Sequence, residues 1–192
     1  METTATNTLQ IDFSWKKFQV LITRLHDTTS EPVYILDTQT LKKPTLIFRR
    51  ANSNPDPIGT GTMHVFNINP DYTLHSHKGK LTAQKRWQTE YTYRSDAFSS
   101  SDKPTTMTWT STSGFKNWDF ICLDENMLPV ARFSSSLWAV RKLGQIDFLG
   151  DRADDENARE EIVVTGLTLY FCMVLRTTSI LQFFGAVFYR GK

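Results

Sequence analysis

Residues Arg159 to Phe188 read REEIVVTGLTLYFCMVLRTTSILQFFGAVF, and the reading of this stretch decides the fold. A helix that is apolar on every side belongs either in a bilayer or in a protein core. A bilayer's hydrocarbon layer is about 30 Å thick and takes about 20 apolar residues. The uninterrupted run Ile162 to Leu175 is shorter than that. Extending it to Phe188 puts Arg176 near the middle, where an arginine costs about 2.5 to 3.5 kcal/mol, and Gln182 adds to the cost. A core helix is therefore expected from about residue 155 to 176, roughly 25 Å between Glu160 and Arg176. Asp151, Asp154, Asp155 and Glu156 lead into it and Glu160 and Glu161 lie in its first turns, where acidic groups suit the positive end of the helix dipole. Arg176 followed by Thr177, Thr178 and Ser179 is taken as its end. The segment Ile180 to Phe188 is left with two readings, a strand or helical turn packed on the domain or a segment touching a membrane or partner.

The rest of the chain supplies the core's walls. Before Gly150, segments rich in Val, Ile, Thr and aromatics recur between Gly, Pro, Asn and Asp, the pattern of many short strands. Those expected are Phe18–Thr23, Val33–Asp37, Thr45–Arg49, Gly61–Phe66, Thr73–Ser76, Lys80–Gln84, Glu90–Arg94, Thr106–Thr110, Trp118–Leu123, Val130–Phe133 and Gln145–Leu149. In Thr106 to Thr110 the large apolar groups fall on one face and the hydroxyls on the other. Trp118–Leu123 and Val130–Phe133 flank the polar cluster Asp124-Glu125-Asn126 and read as a hairpin. About eight strands is the size that wall side chains fill unaided. A larger barrel needs something apolar inside it, and the terminal helix is suited to that. The fold expected from these segments is a mainly β, closed antiparallel barrel of ten or more strands around a C-terminal hydrophobic central helix, a number that the resemblance described below raises to about 12. Residues 16–192 would form the domain, and residues 1–15 a flexible N-terminus.

Composition narrows the class. The 192 residues are 40% apolar and 22% charged with a net charge of +2, which fits one globular domain and neither a disordered acidic chain nor a basic nucleic-acid arm. Cys122 and Cys172 sit in apolar runs and read as buried thiols. No glycosylation sequon occurs, and METTATNTLQ lacks the regions of a signal peptide, so a reducing, cytoplasmic setting is expected.

The order TWTSTSGFKNWDFICLDENMLPVARF, then GQIDFL, then an acidic lead-in to REEIVVTGLTLYFCM, resembles the tubby C-terminal-like superfamily, which includes plant LURP-one-related proteins, phospholipid scramblases and small fungal proteins. The resemblance covers roughly Phe18 to Arg176 in order and texture, without a strict motif. It implies a twelve-stranded barrel around a C-terminal helix, and binding of phosphoinositide or other anionic phospholipid through basic residues on the barrel. It transfers no individual binding residue.

No catalytic constellation is legible, so no enzyme is expected and no cofactor. His75 and His77 are two apart, which on a strand gives them one face, but no third metal ligand accompanies them, and they read as solvated strand histidines. Gly59-Thr60-Gly61 lacks the further glycines or lysine of a phosphate loop. The acids before the helix lack calcium-loop spacing. Lys78, Lys80, Lys85 and Arg86, with Trp87 beside them, form the most suggestive cluster, a basic patch next to an interfacial aromatic that suits an anionic lipid surface. Lys16-Lys17, Lys42-Lys43 and Arg49-Arg50 repeat the signal more weakly, and no motif points to nucleic acid. The function expected is a tubby-like, non-enzymatic module at an anionic phospholipid surface or on a protein partner, cytoplasmic or peripheral to the membrane. The alternatives are a membrane anchor made of Ile162 to Phe188 and a scramblase-like lipid-transport protein.

Overall fold

A computed structural model describes residues 7–25, 31–39, 42–52, 56–64, 67–85, 88–111, 119–136 and 142–189, with side chains as far as residue 177. Its strands are β1 (Thr8–Ser14), β2 (Gln19–Arg24), β3 (Pro32–Thr38), β4 (Leu46–Arg50), β5 (Gly59–Thr62), β6 (Asp71–Leu74), β7 (His77–Lys80), β8 (Thr82–Ala83), β9 (Glu90–Ser95), β10 (Thr105–Thr110), β11 (Phe120–Leu123), β12 (Pro129–Ser135) and β13 (Lys142–Phe148), followed by helix α1 (Glu156–Tyr189). All thirteen strands join in one antiparallel sheet, in the order β7-β6-β5-β4-β3-β2-β1-β13-β12-β11-β10-β9-β8. Every neighbouring pair but one is consecutive in the chain, and β1 with β13 is the exception, pairing Thr8 with Asp147.

The sheet nearly closes on itself through one short stretch. His77 to Lys80 pair with β6, and Thr82 and Ala83 pair with β9. Between them sits Leu81, fully buried, its amide donating to the Pro70 carbonyl at 3.0 Å. The chain from 77 to 83 thus belongs to one end of the sheet and then to the other. Above this crossing β7 and β9 are not paired, and a gap is left in the wall.

Alternation of side chains builds the interior. Met107 and Trp109 point inward on β10, Tyr34 and Leu36 on β3, and Leu46 and Phe48 on β4, all buried, while their chain neighbours are half-exposed. α1 fills the lumen. Every residue from Glu160 to Tyr170 is buried, and the Trp109 Nε1–H donates to Thr165 Oγ1 at 3.1 Å. On β5 the inward residues are glycines because the helix lies against them: a Cβ on Gly61 would stand 2.5 Å from Thr168 Oγ1. No helix among the described residues is long and apolar enough to cross a membrane.

Four expectations are corrected. Thr8–Ser14, placed in a flexible N-terminus, is β1 in the middle of the sheet, its Leu9 and Ile11 facing the core. Thr73–Ser76 is not one strand, because His75 (φ 45°) and Ser76 (φ 72°) form the two-residue turn of the β6–β7 hairpin. Lys80–Gln84 is divided between β7 and β8. α1 does not stop at Arg176. It runs on to Tyr189, so the Ile180 to Phe188 backbone continues the helix, which at 1.5 Å per residue is about 51 Å long. Val65, Phe66 and Trp118 lie outside the described residues.

Candidate functional site

The topology gives the barrel two unlike ends. At one, the chain leaves β13 for α1, whose first turn is capped by Asp155, its Oδ1 accepting the amides of Asn157 at 2.9 Å and Ala158 at 3.2 Å. The connections here carry exposed Glu31, Asp56, Asp102, Glu125, Asp151 and Asp154. Lys103 and Arg152 offset them in part, and Arg152 is tied to the carbonyls of Ala97 and Ser99.

The opposite end is where α1 heads. Arg176 donates to the Tyr91 hydroxyl at 2.9 Å there, and Cys172 Sγ lies 3.8 Å from the Ile68 carbonyl. The β1–β2 turn presents exposed Trp15 and Phe18, 56% and 67% accessible, on either side of exposed Lys16 and Lys17. Phe13 holds both rings edge-on, with centroids at 4.9 and 6.2 Å. Lys42 and Lys43, also exposed, lie on the β3–β4 connection at this end, and Lys85 follows β8. Lys85 is bound to Glu90 at 2.9 Å. Among the described connection residues here the one acid is Asp119, which accepts the Ser135 amide at 2.8 Å.

A cleft of about 900 Å³ occupies the gap between β7 and β9. Its rim carries Lys78 and Lys80 from β7 and Arg94 from β9, all exposed, with His77 near the acidic end. Arg94 donates to Thr106 Oγ1 at 2.9 Å, Lys80 stands 3.7 Å from Asp71, and Lys78 has no acidic partner among the described residues. Tyr72 spans the gap by lying across Gly79, where a Cβ would meet its ring at 2.2 Å, and its hydroxyl donates to the Arg94 carbonyl at 3.2 Å. That side-chain bond stands in for a missing rung of the ladder.

Two carboxyl groups of α1 lie behind the wall. Glu160, fully buried, accepts Arg50 Nε at 2.5 Å, and His75 Nε2 lies 2.8 Å from its other oxygen, off the direction a hydrogen bond needs. This latch ties α1 to β4 and to the β6–β7 turn. Burial, with a smaller contribution from the charge of Glu160, pushes the Tyr34 phenol up to about 12. Glu161, 4% exposed, lines the cleft, and its Oε1 is buried without a hydrogen-bond partner. Burial lifts its carboxyl group to about 7, against hydrogen bonding to Ser95, Tyr93 and the Ala97 backbone, and Asp96 lifts it further.

The expected lipid cluster is thus divided. Lys78 and Lys80 stand on the cleft, Lys85 stands at the basic end in an ion pair, and Arg86 and Trp87 lie outside the described residues. His75 and His77 are both exposed, as expected, and His77 lies on β7, but His75 stands in the β6–β7 turn and faces Glu160. Cys122 and Cys172 are free and buried, with the Cys172 thiol pushed up to about 11 by burial. Among the described residues no three His, Cys, Asp or Glu side chains come together as a metal site. Sequence reasoning missed the role of Glu160 and Glu161. Their one signal was that two acids in succession cannot both face away from the core when the helix is buried all round.

What the fold defines is a nearly closed, mainly β barrel filled by its own C-terminal helix. Comparison of the chain with protein-family models, with curated proteins and with solved structures finds no match.

Proposed function

We propose that the chain is a non-enzymatic, tubby-like barrel module that docks peripherally on anionic phospholipid bilayers, phosphoinositide-bearing ones among them, with its basic end against the headgroups. The observation that carries the reading is the WKKF turn: two exposed aromatic side chains flanking two exposed lysines, with Lys42 and Lys43 at the same end. Tryptophan and phenylalanine favour the headgroup level of a bilayer, and each nearby lysine is worth about 1 kcal/mol against an anionic leaflet. Four lysines acting together supply about 4 kcal/mol, roughly a thousandfold in partitioning. The acidic end is repelled by the same surface, which leaves one orientation. α1 runs toward the docking end and its last turns carry ILQFFGAVFY, a sequence suited to the same interface.

Liposome sedimentation tests this. Vesicles containing phosphatidylserine or a phosphoinositide should pull down the wild type and not a variant with Lys16, Lys17, Lys42 and Lys43 changed to Glu. Binding should weaken as salt shortens the screening length. Trp15→Ala with Phe18→Ala should weaken binding while leaving its salt dependence in place. Equal sedimentation of wild type and the four-lysine variant removes this surface. Failure of the wild type to bind any anionic vesicle turns the reading to a protein partner.

A further inference from the structure

The cleft between β7 and β9 lies on the barrel's flank, toward the acidic end, and the bilayer reading leaves it unused. Its chemistry is bipolar. The floor holds a carboxyl group with an unpartnered buried oxygen, Glu161 Oε1, and the rim holds Lys78, Lys80 and Arg94. A carboxylate out of water is costly unless a charge or donor compensates it. Ser95, Tyr93 and the Ala97 backbone hydrogen-bond the group in part, but Oε1 stays without a partner and no cation among the described residues pairs with it: Asp96 adds negative charge, and Arg50 and His75 are taken by Glu160. The missing group is a cation small enough to enter beside the Tyr72 bridge. The rim asks for the opposite, an anion with enough oxygens to engage three cations, which a phosphate has and a single carboxylate does not.

We propose that this cleft binds an aminoalkyl phosphate, a molecule carrying a primary ammonium and a phosphate a few bonds apart, with the ammonium on Glu161 and the phosphate on Lys78, Lys80 and Arg94. The space of about 900 Å³ admits such a molecule with its water. Because Glu161 holds its proton up to about pH 7, an incoming ammonium drives that proton off, so binding near neutrality releases protons to the buffer. The site stands apart from bilayer docking, since it involves neither the WKKF turn nor Lys42 and Lys43.

Calorimetric titration with soluble phosphoethanolamine, glycerol 3-phosphate and γ-aminobutyrate, each at pH 7 in two buffers of different ionisation enthalpy, tests the assignment without any bilayer. Phosphoethanolamine should bind at least about tenfold more tightly than either of the others. It should also release protons beyond any seen with glycerol 3-phosphate. Glu161→Gln should remove the affinity gain and that extra release together, and Lys78→Glu with Arg94→Glu should abolish binding of both phosphates. Equal affinity for phosphoethanolamine and glycerol 3-phosphate, equal affinity for γ-aminobutyrate, or no binding at all overturns the proposal, whatever the vesicle experiment gives. Vesicles of equal anionic charge with and without phosphatidylethanolamine separate the sources. A gain from phosphatidylethanolamine that Glu161→Gln abolishes assigns the cleft to a lipid headgroup, and no gain, with soluble binding intact, assigns it to a free metabolite.

Discussion

Glu161→Gln should change the way this protein's stability depends on pH. In the folded barrel the carboxyl group is raised from 4.5 to about 7, chiefly by burial, while in the unfolded chain it returns to its ordinary value. The sign follows from which state holds the proton. Below the unfolded value both states are protonated and no penalty exists. Between that value and about 7 the unfolded chain has released its proton and the folded one has not, so stability falls with each pH unit by about 1.4 kcal/mol, and above about 7 the loss is complete. Across the window from 4.5 to about 7 this amounts to about 3 kcal/mol, a large part of a typical total of 5 to 15. Glutamine keeps the shape and carries no proton to lose. Urea unfolding of both proteins at pH 5, 6, 7 and 8 should show the variant gaining on the wild type by about 2 to 3 kcal/mol from pH 5 to 8. Other titrating groups cancel in the difference. A difference between the two proteins constant to within about 0.5 kcal/mol over that range would refute the placement of Glu161 behind the wall.

Leu169→Asp puts a carboxylate where the side chain is fully buried against the barrel wall and should abolish the cooperative melt, as followed by circular dichroism. Arg50→Ala strips the buried Glu160 of its guanidinium. Because Arg50 is itself partly exposed, the loss should be about 2 kcal/mol in urea unfolding rather than the larger cost of a fully buried pair. Gly61→Val drives a side chain into Thr168 and Leu46 and should cost about 2 to 3 kcal/mol, with α1 displaced rather than the outer face disturbed. Gly79→Val pushes the Tyr72 ring off the gap, and hydrogen exchange should accelerate in Arg94 to Asp96 while β1 to β3 keep their protection.

The architecture was legible because two periodicities in the sequence were unambiguous. Thr105 to Thr110 alternate as a half-buried strand must, and Ile162 to Tyr170 show no polar face, which left a filled barrel as the arrangement that satisfies both. β1 was missed because TLQIDFS follows a polar segment and its two core residues are too few to announce a strand. The His75-Ser76 turn was hidden because neither residue is glycine, although both adopt the left-handed conformation. The continuation past Arg176 was missed because Thr177 to Ser179 read as a stop, whereas Thr177 bonds back to the Met173 carbonyl at 3.0 Å and stays in the helix. The cleft could not be read at all. Lys78, Lys80 and Lys85 look like one cluster in sequence, yet the crossing at Leu81 assigns the first two to one edge of the sheet and sends the third to the far end.

That α1 follows all thirteen strands in the chain has a consequence for biosynthesis. Strands leaving the ribosome in order can pair with their predecessors as they appear, but β1 waits for β13, and the wall has nothing to close upon until the helix has also cleared the exit tunnel. Until then the nascent chain is a curling sheet with two open edges and an apolar inner face. That is the condition in which chaperones hold a polypeptide and in which strand edges recruit one another. Closure waits for the helix, in a step that encloses it and pairs β1 with β13 at once. A stop codon anywhere before residue 156 should yield insoluble or chaperone-bound protein rather than a smaller barrel.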